Sequence, residues 1–99
     1  MKTKLHLPAL KPLNEGARRL AWFFGRGGDQ AFDRFARTIG HHVSYVDRLI
    51  SGEVEPVGDE ANAIYWATGG AVWSRDWLRP ADGAWADHPA DRGMLAKAA

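Results

Sequence analysis

The 99-residue chain contains no cysteine. Disulfide frameworks and thiolate metal sites are therefore excluded, and a reducing cytoplasm is the compartment that fits. The chain also lacks a long apolar run, since no run is longer than that from Leu20 to Phe24, which is far too short to cross a bilayer. Near the N-terminus Pro8 and Pro12 interrupt any apolar segment of the kind found in signal peptides. We therefore expect a cytoplasmic protein that makes no contact with a membrane.

Enzymatic machinery is missing as well. A chain of this length forms one domain with a core of three to five short helices, which is too small for a large cleft. We find no nucleophile–base pair, no paired carboxylates in a plausible cleft and no metal-ligand spacing. His41 and His42 are adjacent, so their side chains diverge on a helix and cannot share one metal ion as an i, i+4 pair does. The sequence predicts a protein that is not an enzyme and has no cofactor and no metal.

The net charge of +1 is low for a protein that binds nucleic acids, but the charges are unevenly distributed. Residues 1–52 contain nine Lys/Arg and four Asp/Glu, a net charge of +5, whereas residues 53–99 contain four and eight, a net charge of −4. This asymmetry indicates a basic face and an acidic remainder. A random solvated surface can show the same division, so both interpretations stay open.

The most informative segment runs from Asp29, the expected N-cap of its first helix, to Glu53. Apolar residues recur at helical spacing on both sides of one glycine: Phe32, Phe35, Ala36 and Ile39 before it, and Val43, Val46, Leu49 and Ile50 after it. Two helices joined by a short turn containing glycine are typical of the helix-turn-helix, whose second helix lies in the major groove of DNA. The structural positions of this motif are Ala36, Gly40, Val46 and Leu49. The small side chain of Ala36 allows the two helices to cross closely, and Gly40 can adopt the positive φ that the corner requires.

Polar side chains on the remaining faces of these helices are the candidate DNA contacts. Arg48 can pair bidentately with guanine, Ser44 can bond to a base or a phosphate, and Asp47 can accept from cytosine N4 or orient Arg48. Tyr45 lies at the edge of the same face. The residues expected to contact phosphates are Gln30, Arg34, Arg37 and Ser51. A plain amphipathic helix would show a similar distribution, and it is the spacing of the motif that favours a DNA-contacting face.

The rest of the chain supplies further short helices. A first helix, started by Pro12 or Asn14, is expected to bury an apolar stripe while its arginines face outward. The stripe is Leu13, Ala17, Leu20, Ala21 and Phe24, and the outward arginines are Arg18, Arg19 and Arg26. A fourth helix, with Asp59 as its N-cap, is expected to run to about Thr68, and a last short turn, with Ser74 as its cap, is expected from Arg75 to Leu78. The predicted fold is all-α, a small bundle of four to five short helices containing a helix-turn-helix in residues 12–80, with an N-terminal arm (1–11) and a flexible C-terminal tail (81–99).

Two segments of the sequence resemble a known family. FARTIGHHVSYVDRLISG (residues 35–52) is similar to the helix-turn-helix of lambda Cro and repressor-like regulators. ATGGAVWSRDWLRP (residues 67–80) resembles the ending of the Cro-like, YdaS-like subgroup of phages and prophages. The resemblance implies that the first turn of the second motif helix contacts bases, which adds His42 and Val43 to the candidate residues. It also implies a repressor that binds a palindromic operator in double-stranded DNA as a homodimer.

Three functions remain possible at this stage. The leading interpretation is a sequence-specific, Cro-like transcriptional regulator whose self-association surface contains Trp73 and Trp77. The second is an antitoxin with the same fold, which would bind a toxin and regulate its own gene. The third is a protein-interaction module that has lost DNA binding, which is favoured by Asp47 on the presumed contact face and by Phe32, where relatives usually carry Gln.

Overall fold

A computed structural model of the chain describes residues 11–28 and 30–89. In this part of the chain the secondary structure is entirely helical, which confirms the predicted all-α class. The elements are α1 (Glu15–Arg26), α2 (Ala31–Ile39), α3 (Val43–Ser51), α4 (Asp59–Ala67) and a 3-10 helix (Ser74–Leu78). The expected N-cap Asp29, residues 1–10 of the expected arm and residues 90–99 of the expected tail lie outside the described residues.

Helix α1 begins where its capping residue predicts. The side chain of Asn14 accepts a hydrogen bond from the backbone N–H of Ala17 at 2.7 Å, which satisfies one of the free amides of the first turn. Leu13, expected on the buried stripe, instead precedes the helix and is 65% exposed. Its side chain lies over Gly52, where a Cβ would collide with it. The stripe therefore starts at Ala17 rather than at Leu13.

The core forms where α1, α2, α3 and α4 meet. Helix α3 contacts both α1 and α2, and α4 contacts α2 and the 3-10 helix. The buried apolar residues are Ala17, Leu20, Phe24, Ala31, Phe32, Phe35, Ala36, Val46, Leu49, Ile50, Ala61, Ile64, Val72 and Trp77. Helix α3 contributes three fully buried side chains to this cluster, so one of its faces is fixed inward and the opposite face is presented to solvent.

The segment after the 3-10 helix packs against α1, so the boundary of the folded part extends past residue 80. Arg18 donates a hydrogen bond to the carbonyl of Asp87 at 2.6 Å, and the indole of Trp22 donates to the carbonyl of Trp85 at 2.9 Å. The ring of His88 meets that of Trp22 edge to face. Residues 81–89, expected to belong to a flexible tail, therefore cover one side of α1.

Two arginines of α1 are buried rather than exposed. Arg18 and Arg19, expected on the outer side of α1, are 3% and 8% exposed. Both donate to the carboxylate of Glu15, which is itself fully buried, at 2.8 Å. The same carboxylate accepts the backbone N–H of Asp82 at 2.8 Å. A buried charge is tolerated because it is paired and hydrogen-bonded on several sides.

The C-terminal elements also differ from two expectations. Asp59 is the first residue of α4 rather than its N-cap, because Gly58 occupies the cap position with a φ of 54°. Trp77, expected on a self-association surface, is 1% exposed and packs its indole against the backbone of α1 at Gly16. Trp77 is therefore a core residue and is not accessible for dimer contacts. Trp73 is half-buried, with the guanidinium of Arg75 over its ring.

Candidate nucleic-acid interface

The corner between α2 and α3 is a turn of three residues, Gly40, His41 and His42. Gly40 has φ 75° and ψ 30°, the left-handed conformation in which a side chain is strained. The next amide, that of His41, donates to the carbonyl of Ala36 at 3.0 Å. This six-to-one hydrogen bond closes the C-terminus of α2 as a Schellman motif, so the helix ends at a fixed position and the chain turns away.

The four structural positions of the predicted motif fall in the core or at this corner. Ala36 is 2% exposed on α2, and Val46 and Leu49 are fully buried on α3. Helices α2 and α3 pack against each other through this apolar side. Gly40 is exposed, with nothing within 4 Å of the place where a Cβ would lie, so its conformation rather than lack of space is what favours glycine there.

The outer side of α3 brings together most of the residues expected to contact bases. His42, Ser44 and Arg48 are exposed, while Val43, Tyr45, Asp47 and Ser51 are half-buried. Positions 44, 48 and 51 fall at spacings of four and three, so they share one strip of the helix surface. Val43 packs against the core cluster, which leaves its contribution to a contact surface small.

His42 has a structural task in addition to its exposed position. As the N-cap of α3, its Nδ1 accepts the backbone N–H of Ser44 at 3.1 Å and lies 3.0 Å from the Ser44 hydroxyl. In the neutral ring the proton is then carried by Nε2, because the other nitrogen is an acceptor. His42 can thus cap the helix and still present an N–H donor to a phosphate or a base edge.

Arg48 is the exposed cation of α3. Its Nε lies 3.9 Å from a carboxylate oxygen of Glu53, and the two side chains are 57% and 68% exposed. A pair this long and this exposed contributes little to stability and is easily exchanged for another partner. Arg48 is therefore held only loosely and can be redirected to an anion or a guanine edge.

Three of the four expected phosphate contacts lie on α2 or directly before it. Gln30, Arg34 and Arg37 are all exposed, with Gln30 directly preceding the first residue of α2. Arg34 reaches the carbonyl of Gly27 only at 3.5 Å. Among the residues that the structure describes, no shorter hydrogen bond holds the guanidinium group of Arg34 or Arg37, so both can turn toward an anionic backbone. Ser51, at the end of α3, donates to the carbonyl of Arg48 at 3.1 Å and is less available.

The turn residue His41 makes contacts that the sequence did not predict. His41 places its Nε2 2.9 Å from both carboxylate oxygens of Glu60, which lies on α4. Its ring stacks on that of Tyr45, with centroids 3.9 Å apart and an angle of 17° between the planes. Burial and the nearby Glu60 carboxylate raise the pKa of the Tyr45 phenol. We call these three side chains the His41 junction; because Glu60 is 19 positions from His41, no local pattern indicates the pairing.

Within residues 11–28 and 30–89, no helix is long and apolar enough to cross a membrane. The same residues contain no group of three or more His, Asp or Glu side chains placed to hold a metal ion. Comparisons of the chain with protein-family models, with curated proteins and with solved structures give no match. The resemblance of residues 35–52 and 67–80 to Cro-like regulators therefore stays a prediction.

Proposed function

We propose that the chain is a sequence-specific DNA-binding regulator of transcription and that α2, the three-residue turn and α3 form a helix-turn-helix. The observation that carries this proposal is the corner at Gly40. Two nine-residue helices meet there at a left-handed glycine, and the second presents exposed Ser44 and Arg48 while burying its apolar face. This arrangement supports a role for α3 as the helix that enters the major groove, which is the role of the second helix in such motifs.

The positions of the exposed arginines support an orientation in which α2 faces the DNA backbone and α3 faces the base edges. Arg34 and Arg37 on α2 and Arg48 on α3 are exposed, and phosphate neutralisation by such side chains supplies most sequence-independent affinity. In this arrangement α2 contacts the backbone while Arg48, Ser44 and His42 meet base edges. The acidic residues Glu53 and Glu55 follow the C-terminal end of α3, and the Glu60 carboxylate beside its first turn is paired with His41.

A single helix contacts only a few base pairs, so specific binding requires two half-sites. We therefore propose that the regulator acts as a homodimer on a palindromic operator and represses by occluding RNA polymerase. Trp66 is the tryptophan to examine in this dimer, since it is 71% exposed on α4 and Trp77 is buried. Sedimentation with and without DNA measures the stoichiometry directly.

The test is selection of bound sequences from random double-stranded DNA with the full chain, followed by mobility shifts at two salt concentrations. We expect an enriched palindrome with half-sites separated by about one helical turn, roughly 10 base pairs. Affinity should fall steeply as the salt concentration rises, because counterions are released on binding. Failure to enrich any sequence, together with equally weak binding to all DNA, would overturn the proposal.

One observation favours an alternative, a protein-interaction module. Asp47 lies on α3 between the candidate contacts, and Glu53 is near Arg48, so the α3 surface is less basic than that of many DNA-binding helices. The selection experiment separates the two functions, because an interaction module would show no sequence preference and only a shallow salt dependence.

A further inference from the structure

The His41 junction connects the three elements that meet at the corner. His41 belongs to the turn, Tyr45 to the first turn of α3 and Glu60 to the first turn of α4. The imidazole is held between an aromatic platform and a carboxylate, with Nε2 directed at both oxygens of Glu60 at 2.9 Å. Its Nε2 is therefore directed at Glu60 on α4 rather than toward a ligand of α3.

We propose that His41 is a positioning residue: it fixes the first turn of α3 relative to α4 and does not itself contact DNA. The inference rests on the proposed function, because the first turn of α3 is the part that would enter the groove. A recognition surface needs its side chains held closely to the productive geometry by neighbouring residues.

The backbone hydrogen bonds show why a change at His41 would affect both of the helices that the turn connects. The amide of His41 closes the C-terminus of α2 on Ala36, and the next residue, His42, is the N-cap of α3. A rotation of His41 would therefore move the end of one helix and the start of the next together. Its ring ties both to α4 through Glu60, so the junction restrains the angle of α3 as well as the position of its first residue.

The junction is too exposed to contribute much to global stability. The side chains of His41 and Glu60 are 31% and 42% exposed, and pairs of this kind contribute little to the free energy of unfolding. Its effect should therefore appear in the local order of α3 rather than in the unfolding midpoint. A change in the local order of α3 with an unchanged unfolding midpoint therefore indicates a positioning role, whereas a merely structural role would lower the midpoint.

The first experiment measures amide hydrogen exchange at Ser44 and Tyr45 in the wild-type chain, His41→Ala, Glu60→Ala and the double variant. We expect exchange to be roughly three- to tenfold faster in each single variant, and the double variant to match His41→Ala, because without the imidazole Glu60 has no pairing left to lose. His41→Gln, whose amide N–H can replace the Nε2 donor, should restore most of the protection. His88→Ala and Glu55→Ala are the matched controls, and neither should change exchange in α3.

The second experiment measures affinity for the selected operator with the same variants. We expect His41→Ala and Glu60→Ala to lose roughly three- to tenfold, and His41→Gln to regain most of the loss. Additive losses in the double variant, or unchanged exchange at Ser44 and Tyr45, would overturn the proposal. Reduced operator affinity with unchanged exchange would mean that His41 contacts DNA, which also overturns it. If the wild-type chain binds no DNA, the proposed function fails, and the exchange measurements still decide the role of His41.

Discussion

The indole of Trp77 lies directly on the backbone of Gly16, at the point where α1 passes the 3-10 helix. A Cβ on Gly16 would overlap three ring atoms of a side chain that is 1% exposed. Glycine inside a helix costs about 1 kcal/mol relative to alanine, so helix propensity alone would predict a gain from replacement. The close approach of the Trp77 ring makes the expected change in stability a loss rather than a gain.

We therefore expect Gly16→Ala to destabilise the protein by about 2 kcal/mol, since overpacking a filled core outweighs the gain in propensity. Gly25→Ala is the matched control: Gly25 also lies in α1, but nothing is within 4 Å of its Cβ position. That variant should gain roughly 0.5–1 kcal/mol. Urea denaturation measures both, and equal gains in the two variants would contradict the packing seen at Trp77.

The corner glycine should respond to substitution through its backbone conformation alone. With φ at 75° and open space around it, Gly40→Ala is expected to cost about 1 kcal/mol from left-handed strain. Gly40→Asn should cost less, because asparagine tolerates this region better than alanine does. The unfolding free energies of the two variants provide the measurement, and a loss as large for Asn as for Ala would argue against strain as the cause.

Glu15 is expected to be the most sensitive charged residue of the described part of the chain. Its fully buried carboxylate holds Arg18, Arg19 and the backbone of Asp82. Glu15→Ala would leave two nearly buried guanidinium groups without this carboxylate. Removing one partner from a buried group of charges lowers the free energy of unfolding by about 3 kcal/mol or more. Chemical denaturation should show this loss, whereas the exposed control Glu55→Ala should change stability by less than about 0.5 kcal/mol. Similar midpoints for the two variants would show that the cluster stabilises little.

The C-terminal segment should make stability depend on pH in the acidic range. A hydrogen bond from Arg79, with the charges of Arg79, Arg18 and Arg19, lowers the pKa of the Asp82 carboxyl. The folded state thus binds fewer protons than the unfolded state, so the stabilisation is present above the ordinary aspartate pKa of about 4 and is lost as the pH falls through the folded pKa. Asp82→Asn should flatten this fall in melting temperature, most visibly at low salt, and parallel curves for the two proteins would contradict the assignment.

Local sequence patterns predicted the helices well, because their determinants lie within a few residues of one another. Asn14, one of the two expected starts, caps α1, and α2 ends at Ile39 because the expected corner glycine that follows adopts a left-handed conformation. The apolar spacing of α3 identified its buried face, with Val46 and Leu49 both fully buried.

Contacts between distant segments explain what the sequence did not predict. Arg18 and Arg19 were expected to face solvent, but both are buried beside Glu15, and Arg18 also donates to the carbonyl of Asp87 in the segment that folds back over α1. The pairing of His41 with Glu60 likewise depends on the path of α4. Aromatic content alone did not distinguish buried Trp77 from exposed Trp66, since which ring is covered depends on where the 3-10 helix docks.

The division of contacts between the two helices of the proposed motif leads to the sharpest functional test. Arg48, on the outer side of α3, is expected to pair with a base, so Arg48→Ala should lose about 1–3 kcal/mol at one operator position and relax specificity there. Arg34→Ala and Arg37→Ala, on α2, should weaken binding to all sequences and reduce the salt dependence by about one phosphate contact each. Affinities for the selected operator, its single-base variants and random DNA separate these effects. The same loss on operator and random DNA for all three variants would show that Arg48 does not contact a base.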